Sequence, residues 1–522
     1  VLVLSPGNTL CGAAVISLDG PGVRRRRVAH TRAGERDARE TPPREPRKDS
    51  RETYAAVMAE QVLRDRVITP EVPGEERAHG RSLRKEAPRS GLGQLVASPR
   101  SAVEILVEQN RTRVASLVPL RFARMLTDPF SFYRGSAAVM AADLAAGPSS
   151  GIPVYSCGDA HLSNFGIYAA PDRALIFDLN DFDETAMAPA EWDLKRLVTS
   201  GIVGGRHAGY SEKVIRKQVA EVLASYRRGL QDVLDMGILD RYYLRFEPER
   251  YNARAGGALA EVIARTTRRA RKRTSKRVFG RIMEERPDGS LRLRENPPVL
   301  RHLKVAVEDR ILATFREYLT TVPPDVALVL SHFKVTDIAQ RVVGVGSVGT
   351  RCYVVIMTGP CGTPLVMQVK EAGQSVLESY GAVPQPDWMH RGIGERGEGA
   401  RVVAGQQVLQ ASSDVFLGAL RWDGRDYYVR QFHDMKGSVD TEIMSQREFG
   451  RYVSACALVL ARAHAQSRNA TVWAGYIGKG GAFDEAITQW SFAYADKAFG
   501  DYQQLVAAAA AGDIEVADDP LR

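Results

Sequence analysis

The segment CGDAHLSNFGIYAAPDRALIFDLNDFDETAMAPAEWD, residues Cys157–Asp193, decides how the rest of the chain is interpreted. Asp159 follows a glycine, as expected of a tight turn, and His161 and Asn164 follow it at short intervals. An apolar run with strand character comes next, residues 174–177. It leads directly into three closely spaced carboxylates, Asp178, Asp181 and Asp183. The segment therefore predicts a polar site at the end of an apolar strand.

Such a concentration of carboxylates needs a positive partner. Like charges at short range raise each other's pKa values or recruit a cation. Oxygen ligands, carboxylates together with one amide, suit a hard ion such as Mg²⁺ that is held with a phosphate. A carboxylate that does not bind the metal can accept the proton of an attacking hydroxyl. These residue types therefore predict phosphate chemistry.

The segment resembles the catalytic region of the aminoglycoside phosphotransferases, a branch of the kinase-like enzymes whose pattern is HGDxHxxN, then IDF or IDW, then a DL pair. The resemblance implies that Asp159 is the catalytic base and that Asn164 and Asp181 hold the metal. It also implies that Asp193, of the DL pair, supports the catalytic loop. One departure is Cys157, which stands where that family has a histidine of mostly structural role.

Three further residues of the segment are candidates for the same site. His161 belongs to the HGDxHxxN pattern and is a candidate catalytic residue. Asp178 and Asp183 are candidate metal ligands beside Asp181.

A longer resemblance covers roughly residues 81–502. The stretch from FYRGSA at Phe132 to WDLKRL at Trp192 is similar to an uncharacterised bacterial family, domain of unknown function 2252. The name of that family carries no activity, so this resemblance implies membership alone.

The second informative stretch, VVGVGSVGTRCYVVIMTGPCGTPLVMQVK, covers residues Val342–Lys370. Its glycines have G-x-G-x-x-G spacing, which is weak evidence alone because ordinary hairpin loops and dinucleotide-binding folds share it. A dinucleotide fingerprint opens a helix, whereas here two strand-like runs follow, and the second ends at Lys370. This layout is typical of the glycine-rich loop and phosphate-pairing lysine of kinase-like proteins. The predicted nucleotide-binding residues of the loop are Gly344, Gly346, Ser347 and Gly349.

The lysine of such a site is expected to pair with an acid on a following helix. Glu378 is the first candidate, with Glu371 and Glu398 behind it, and the sequence does not choose among them. By resemblance, the segment Arg430–Phe432 is the hinge whose backbone holds the adenine.

The order of the motifs differs from that of kinase-like chains, in which the glycine-rich loop and lysine precede the catalytic segment. Here the catalytic segment comes first, and the helical phrase LARAHA, which ends near His464, comes last. We therefore predict an α+β, two-lobed, protein-kinase-like fold with a circularly permuted chain. The expected parts are a disordered basic tail (1–80), a helical lobe with the catalytic and metal segments (81–334), a small antiparallel-sheet lobe (335–432), and helices that complete the large lobe (433–522).

Composition limits the remaining possibilities. The net charge of +9 suggests anionic partners, and the five widely spaced cysteines form no CxxC pair, which argues against structural zinc and suits a reducing cytoplasm. The apolar N-terminus lacks a preceding basic segment and is interrupted by Pro6 and Gly7, so we expect neither a signal peptide nor a membrane span. The basic runs 24–27 and 265–277 lack interleaved aromatics, which favours solvated segments over nucleic-acid binding.

The expected function is ATP- and Mg²⁺-dependent phosphoryl transfer to a hydroxyl of a small molecule or a protein. A nucleotide-binding pseudokinase without turnover, or a nucleotidyl transferase, is the first alternative. A basic nucleic-acid-binding protein that uses the two Arg-rich runs is the second alternative.

Overall fold

The computed structural model describes most of the chain beyond residue 71. The described residues are 72–248, 266–268, 283–285, 291–303, 314–342, 344–432, 437–439 and 441–519. Most of the predicted N-terminal tail and most of the basic run 265–277 lie outside these ranges.

The helices fall into two groups along the chain. Those that precede the largest sheet are α1 (Pro73–Ser82), α2 (Ala102–Gln109), α3 (Val118–Met125), α4 (Pro129–Gly135), α5 (Ala137–Ala146), α6 (Ala190–His207), α7 (Glu212–Leu234) and α8 (Ile238–Tyr243). Those within or after it are α9 (Pro324–Leu330), α10 (Val376–Ser379), α11 (Asp387–Arg396), α12 (Glu398–Leu409), α13 (Gln446–His464), α14 (Ala470–Ile477) and α15 (Ala482–Ala511).

The strands form one large sheet and three small ones, and each described pairing is antiparallel. The small sheets contain β1 (Pro153–Ser156) and β4 (Ala186–Pro189); β2 (Phe165–Ala169), β3 (Leu175–Leu179) and β13 (Gly437–Ser438); β5 (Met283–Glu285) and β6 (Leu291–Leu293). The large sheet has the order β11 (Gly418–Trp422), β12 (Arg425–Gln431), β10 (Pro364–Ala372), β9 (Cys352–Thr358), β8 (Lys334–Arg341), β7 (Leu300–His302). The predicted α+β class is confirmed.

The large sheet is apolar on both faces. Side chains alternate between the two faces along each strand, and apolar residues are found on each face. In β9, Tyr353 and Val355 belong to a core cluster with Tyr318 and Leu330, which lie outside the strands. The intervening residue Val354 packs on the opposite face in a second cluster. The uninterrupted apolar run of β9 is thus the pattern of a strand covered on two sides.

The large sheet extends further toward the N-terminus than the predicted boundary at residue 335. β7 pairs with β8 through Leu300 and Arg341, and α9 covers one face with Val326 and Leu330. The prediction missed these elements because β7 has only three residues, too few for a clear alternation.

The helical part is built around α13, which packs against α7. A capping box starts α13, since the Ser445 hydroxyl accepts a hydrogen bond from the backbone of Glu448 and the Glu448 carboxylate accepts one from the backbone of Ser445. The predicted apolar face is buried, including Val453 and Leu460. These helices share the largest core cluster with α6 and α15.

Helix α1 begins before residue 80, within the segment predicted to be a disordered tail. It packs closely against α14, and each of the two helices places a glycine against the backbone of the other. A Cβ atom on Gly80 would lie 2.0 Å from the carbonyl oxygen of Val472, and one on Gly475 would lie 2.3 Å from that of Arg77. The tail prediction is therefore corrected for residues 73–80, because small residues allow the two helices to approach closely.

We expect Gly80→Ala to lower the free energy of unfolding by about 1–3 kcal/mol, because the new methyl group overpacks the α1–α14 contact. Gly74→Ala is the matched control in the same helix, since a Cβ there meets nothing within 4 Å, and it should leave stability unchanged or slightly raised. Denaturant unfolding of the two variants measures the difference. Equal stability would contradict the docking of α1.

Among the described residues, none of the helices combines the length and the apolar character that crossing a lipid bilayer requires.

Candidate functional site

The loop that follows β1 is fixed from below by the first turn of α6. The carboxylate of Asp193 accepts hydrogen bonds from the backbone N–H groups of Cys157 (2.8 Å) and Gly158 (3.0 Å). Gly158 has a φ of +79°, and a Cβ atom there would lie 2.1 Å from the carbonyl oxygen of Glu184. The turn therefore needs glycine, and it presents Asp159 from a rigid base.

The end of α13 meets this loop. The Nε2 atom of His464 lies 3.3 Å from the Asp193 carboxylate, and the fully buried ring also contacts the hydroxyl of Tyr226 through Nδ1 at 2.6 Å. Just beyond the helix, the Ser467 hydroxyl accepts a hydrogen bond from the backbone N–H of Tyr155 at 2.7 Å. Two segments that are far apart in sequence are thus adjacent, since Tyr155 and Ser467 are separated by 312 residues.

Asp159 is held by a buried arginine. The guanidinium of Arg196 contacts Oδ1 of Asp159 through both Nε and Nη2 at 2.8 Å. Burial raises the pKa of Asp159 to about 6, although Arg196 opposes this shift. Sequence reasoning missed Arg196, yet its position three residues after Asp193 on one helix was a usable signal.

The side chain of His161 lies close to the Asp159 carboxylate but does not hydrogen-bond to it, since Nε2 lies 3.6 Å from Oδ2. The backbone N–H of His161 donates to the backbone carbonyl of Asp159 at 2.8 Å. Burial, together with Arg134 and Arg196, lowers the pKa of His161 well below its usual value, so the ring is neutral at pH 7.

Asn164 ends a 3₁₀ turn and faces the same space as the acids. Its Nδ2 donates to the backbone carbonyl of Asp159 at 2.7 Å, which leaves the amide oxygen for another partner. The predicted amide ligand is thus brought next to the predicted base.

Lys370 reaches the acidic segment from β10. Its buried amine lies 3.5 Å from Oδ1 of Asp181 and forms an ion pair with Asp183. The Tyr428 hydroxyl donates to the other oxygen of Asp183 at 2.8 Å. Burial lowers the pKa of Lys370, but Asp181 and Asp183 outweigh burial and raise it well above its usual value. The lysine therefore stays charged.

The predicted glutamate partners of Lys370 are located elsewhere. Glu371 pairs with Arg351 and Arg425, because alternation along β10 turns neighbouring side chains to opposite faces. Glu378 contacts Gln374 on the surface, and Glu398 pairs with an arginine of its own helix. The expected lysine–glutamate pair is therefore replaced by pairs between Lys370 and two aspartates.

Arg401, on α12, is a buried residue that contacts the acidic segment. Its buried guanidinium donates to the backbone carbonyls of Asp183 (2.9 Å) and Gly373 (2.7 Å). It also donates to the carbonyl of Thr185. Helix α12 thus holds the backbone of the acidic segment through Arg401, which the sequence pattern did not indicate.

Asp178 lies away from the other acids. It is buried, and its two oxygens accept hydrogen bonds from the backbone N–H groups of Leu179 and Ala411, each at 2.8 Å. Burial raises the pKa of Asp178. The prediction that Asp178 is a metal ligand is corrected, because one of its oxygens accepts a hydrogen bond within β3 and the other joins β3 to the segment after α12.

The glycine-rich loop lies against the loop that carries Asp159. A pocket of about 70 Å³ is lined on one side by Gly346 and Ser347 and on the other by Asp159, Asn164, Asp181 and Asp183. Gly344 and Gly349 have φ values of +72° and +90°. Glycine adopts this backbone conformation without strain, whereas residues with a Cβ atom rarely do. The two stretches singled out in the sequence therefore meet at one pocket.

The predicted hinge residues line a different cavity. This cavity has a volume of about 450 Å³, and Arg430, Phe432, Gln368 and Asn180 are among its walls. Arg430 donates to the Gln368 side chain at 2.9 Å. The backbone N–H of Phe432 donates a hydrogen bond to the carbonyl of Val366 at 2.8 Å, so this N–H is not available to a ligand. Arg430 and Phe432 are thus not in the cavity that the glycine-rich loop covers.

Oxygen donors dominate the smaller pocket. Mg²⁺ is commonly bound by one or two carboxylates together with substrate phosphates, and the carboxylate of Asp181 and the amide of Asn164 fit that donor set. In the described part of the chain, three or more Asp, Glu, His or Cys side chains do not converge as a self-sufficient metal site.

The fold and the pocket define an α+β protein in which a glycine-rich loop faces an aspartate-rich loop. The model of a family described as an uncharacterised protein conserved in bacteria (DUF2252) matches residues 113–508. The chain belongs to this family. Comparisons with curated proteins and with solved structures find no match.

Proposed function

We propose that this protein is an ATP- and Mg²⁺-dependent phosphotransferase of the kinase-like type that acts on a hydroxyl group. The observation that carries the proposal is the meeting of Lys370, Asp181 and the glycine-rich loop around Asp159. A cation, carboxylates and a glycine-rich backbone are the parts that phosphoryl transfer requires, because its catalysis is mainly positioning and neutralisation of charge.

The proposed fold is a kinase-like one with a permuted chain. Its support is the contact between the end of α13 and the loop after β1, through His464 and Asp193. If the chain of an ordinary kinase-like protein were cut between these two elements, the resulting order of motifs would be the one found here. The old termini would then be joined through the segment that precedes β8.

Several groups in and beside the pocket have roles in this proposal. Asn164 and Asp181 would hold Mg²⁺, which when bound neutralises phosphate charge. Lys370 contributes a fixed positive charge beside them. Asp159 orients the acceptor hydroxyl and receives its proton, and the backbone of Gly346 and Ser347 covers the phosphates.

A second candidate function is nucleotide binding without transfer. It is favoured by one observation, the engagement of Asp159 Oδ1 by both Nε and Nη2 of Arg196. A carboxylate held in this way is less free to accept a proton. Nucleotidyl transfer would differ from phosphoryl transfer in the mass of the product, which mass spectrometry distinguishes.

A thermal-shift experiment tests the proposed function. A ligand at 100 times its Kd stabilises the folded state by about 2.7 kcal/mol, so ATP with Mg²⁺ should raise the melting temperature of the wild type. Lys370→Met should reduce ATP affinity at least tenfold, because the buried amine that would meet the phosphates is lost. Each shift is measured relative to the same variant without nucleotide.

Lys334→Met is the matched control, since Lys334 is exposed on strand β8 of the same sheet. It should bind ATP as the wild type does. Absence of a shift with ATP, ADP or GTP in the presence of Mg²⁺ would refute the proposed function.

A further inference from the structure

Two arginines from outside both motifs line the smaller pocket. Arg113 follows a short turn after α2, and Arg134 lies near the end of α4. Both side chains face the pocket that Asp159, Gly346 and Ser347 also line. Helices that precede the aspartate-rich segment therefore complete its pocket.

These helices also hold the glycine-rich loop. The backbone N–H of Val114 donates to the carbonyl of Gly349 at 2.8 Å, and Arg113 donates to the carbonyl of Val348. A Cβ atom on Gly346 would lie 3.3 Å from the carbonyl oxygen of Arg134. The position of both arginines relative to the loop is thus set by backbone contacts.

The guanidinium groups are incompletely satisfied. The Nε atoms of Arg113 and Arg134 are buried and have no hydrogen-bond partner among the residues that the structure describes. By contrast, Arg196 and Arg401 use their Nε atoms on carboxylates. A buried donor without an acceptor is unfavourable, so two such donors beside one pocket indicate that an acceptor is bound there in the working protein.

Two buried guanidinium groups suit an anion as that acceptor, although carboxylates also line the pocket. Burial lowers the pKa of Arg113 to about 10 and also lowers that of Arg134, so both stay charged at pH 7 while their surroundings oppose the charge. The nearby carboxylates only partly offset this effect. An anion placed between the two guanidinium groups would compensate the remaining desolvation.

The size of the pocket limits the anion. A cavity needs about 10–15 Å³ for each water-sized atom, so about 70 Å³ holds about five such atoms. A single phosphate group has five heavy atoms, so the pocket holds one tetrahedral oxyanion beside Asp159, and the other phosphates of a nucleotide would lie outside it.

We propose that Arg113 and Arg134 form a binding subsite for a single phosphate group between the glycine-rich loop and Asp159. The phosphate belongs either to the end of the nucleotide or to the acceptor. The subsite deepens the proposed function and rests on it for the origin of the phosphate, but not for binding itself. Planar, forked guanidinium donors suit phosphate oxygens better than an ammonium does.

Calorimetric titration with inorganic phosphate at pH 7 tests the subsite. The wild type should bind phosphate, and Arg134→Gln should weaken binding at least tenfold. Arg134→Lys, which keeps the charge without the fork, should fall between them. Arg228→Gln is the control that removes one exposed positive charge far from the pocket, and it should bind as the wild type does.

Circular dichroism establishes that each variant is folded, and Arg113→Gln replaces Arg134→Gln if the latter is unfolded. Equal phosphate affinity in the wild type and the arginine variant overturns the subsite, as does the absence of binding to the wild type at millimolar phosphate. These results are independent of whether ATP raises the melting temperature.

Competition identifies the source of the phosphate. If ATP with Mg²⁺ displaces inorganic phosphate, the subsite takes the terminal phosphate of the nucleotide. If both bind together, it takes a phosphate carried by the acceptor. Arginine-dependent phosphate binding without any nucleotide binding would support the subsite and refute the proposed phosphotransferase.

Discussion

Asp159→Asn should lower the rate of phosphoryl transfer by roughly 10²- to 10⁴-fold, the usual contribution of a general base. The amide has nearly the shape of the carboxylate but cannot accept the proton of a hydroxyl. Binding of ATP with Mg²⁺ should persist, because Lys370 and Asp181 remain in place. The rate is measured as transfer of labelled phosphate, and binding is measured by thermal shift in the same preparations.

The dependence on pH gives an independent check of the same residue. Burial raises the pKa of Asp159 to about 6. The base acts in its ionised form, so the transfer rate should be highest above pH 7 and fall as the pH drops through about 6. Asp159→Asn should lose this dependence on pH together with the activity.

Asp172→Asn is the matched control for Asp159→Asn. Asp172 is exposed in the turn between β2 and β3, where it pairs with Arg245, and its replacement should leave transfer unchanged. If Asp159→Asn keeps more than half of the wild-type rate, Asp159 is not the base. If neither the wild type nor Asp159→Asn transfers phosphate but both bind ATP, the second candidate function, nucleotide binding alone, is supported.

Asp193→Ala should lower the free energy of unfolding by about 3 kcal/mol or more, because each buried donor that loses its acceptor costs about 1–3 kcal/mol. The carboxylate satisfies the backbone N–H groups of Cys157 and Gly158 and lies 3.3 Å from Nε2 of His464. Alanine would leave these three groups without their acceptor. Urea unfolding followed by circular dichroism measures the loss.

Two variants show whether this loss comes from the network. Asp193→Asn keeps one acceptor oxygen and should cost less than alanine. Asp496→Ala removes an exposed carboxylate that pairs with Arg206 on the surface, and it should cost at most about 1 kcal/mol. If Asp193→Ala costs no more than Asp496→Ala, the junction between α13 and the loop after β1 is not supported by Asp193.

Several parts of the fold could be predicted because their signals are local. The runs that became β9 and β10 are rich in β-branched residues and bounded by turn residues. The face of α13 repeats at helical spacing and is buried. By contrast, the three-residue strand β7 carries too short a pattern to be recognised, and α1 is stabilised by contacts with α14 rather than by its own composition.

For the candidate site, the sequence could predict which residues take part but not which of them contact each other. Asp159, Asn164, Asp181 and Lys370 were identified from spacing and resemblance, and the structure brings them to neighbouring positions. Asp178 was assigned to the metal because it stands near Asp181 in sequence. In the structure, however, Asp178 lies on β3, and its carboxylate accepts a hydrogen bond from the backbone N–H of Ala411.

The amino-acid sequence alone determined the longer strands, most of the amphipathic helices and the presence of one acidic and one glycine-rich loop. These features follow from periodicity and backbone preference over a few neighbouring residues. Only the tertiary structure decided that Lys370 pairs with Asp183, 187 residues away, and that Arg401 holds the same segment from 218 residues away. Such pairs depend on how distant elements pack and on which buried charges must be compensated, and neither is encoded in local spacing.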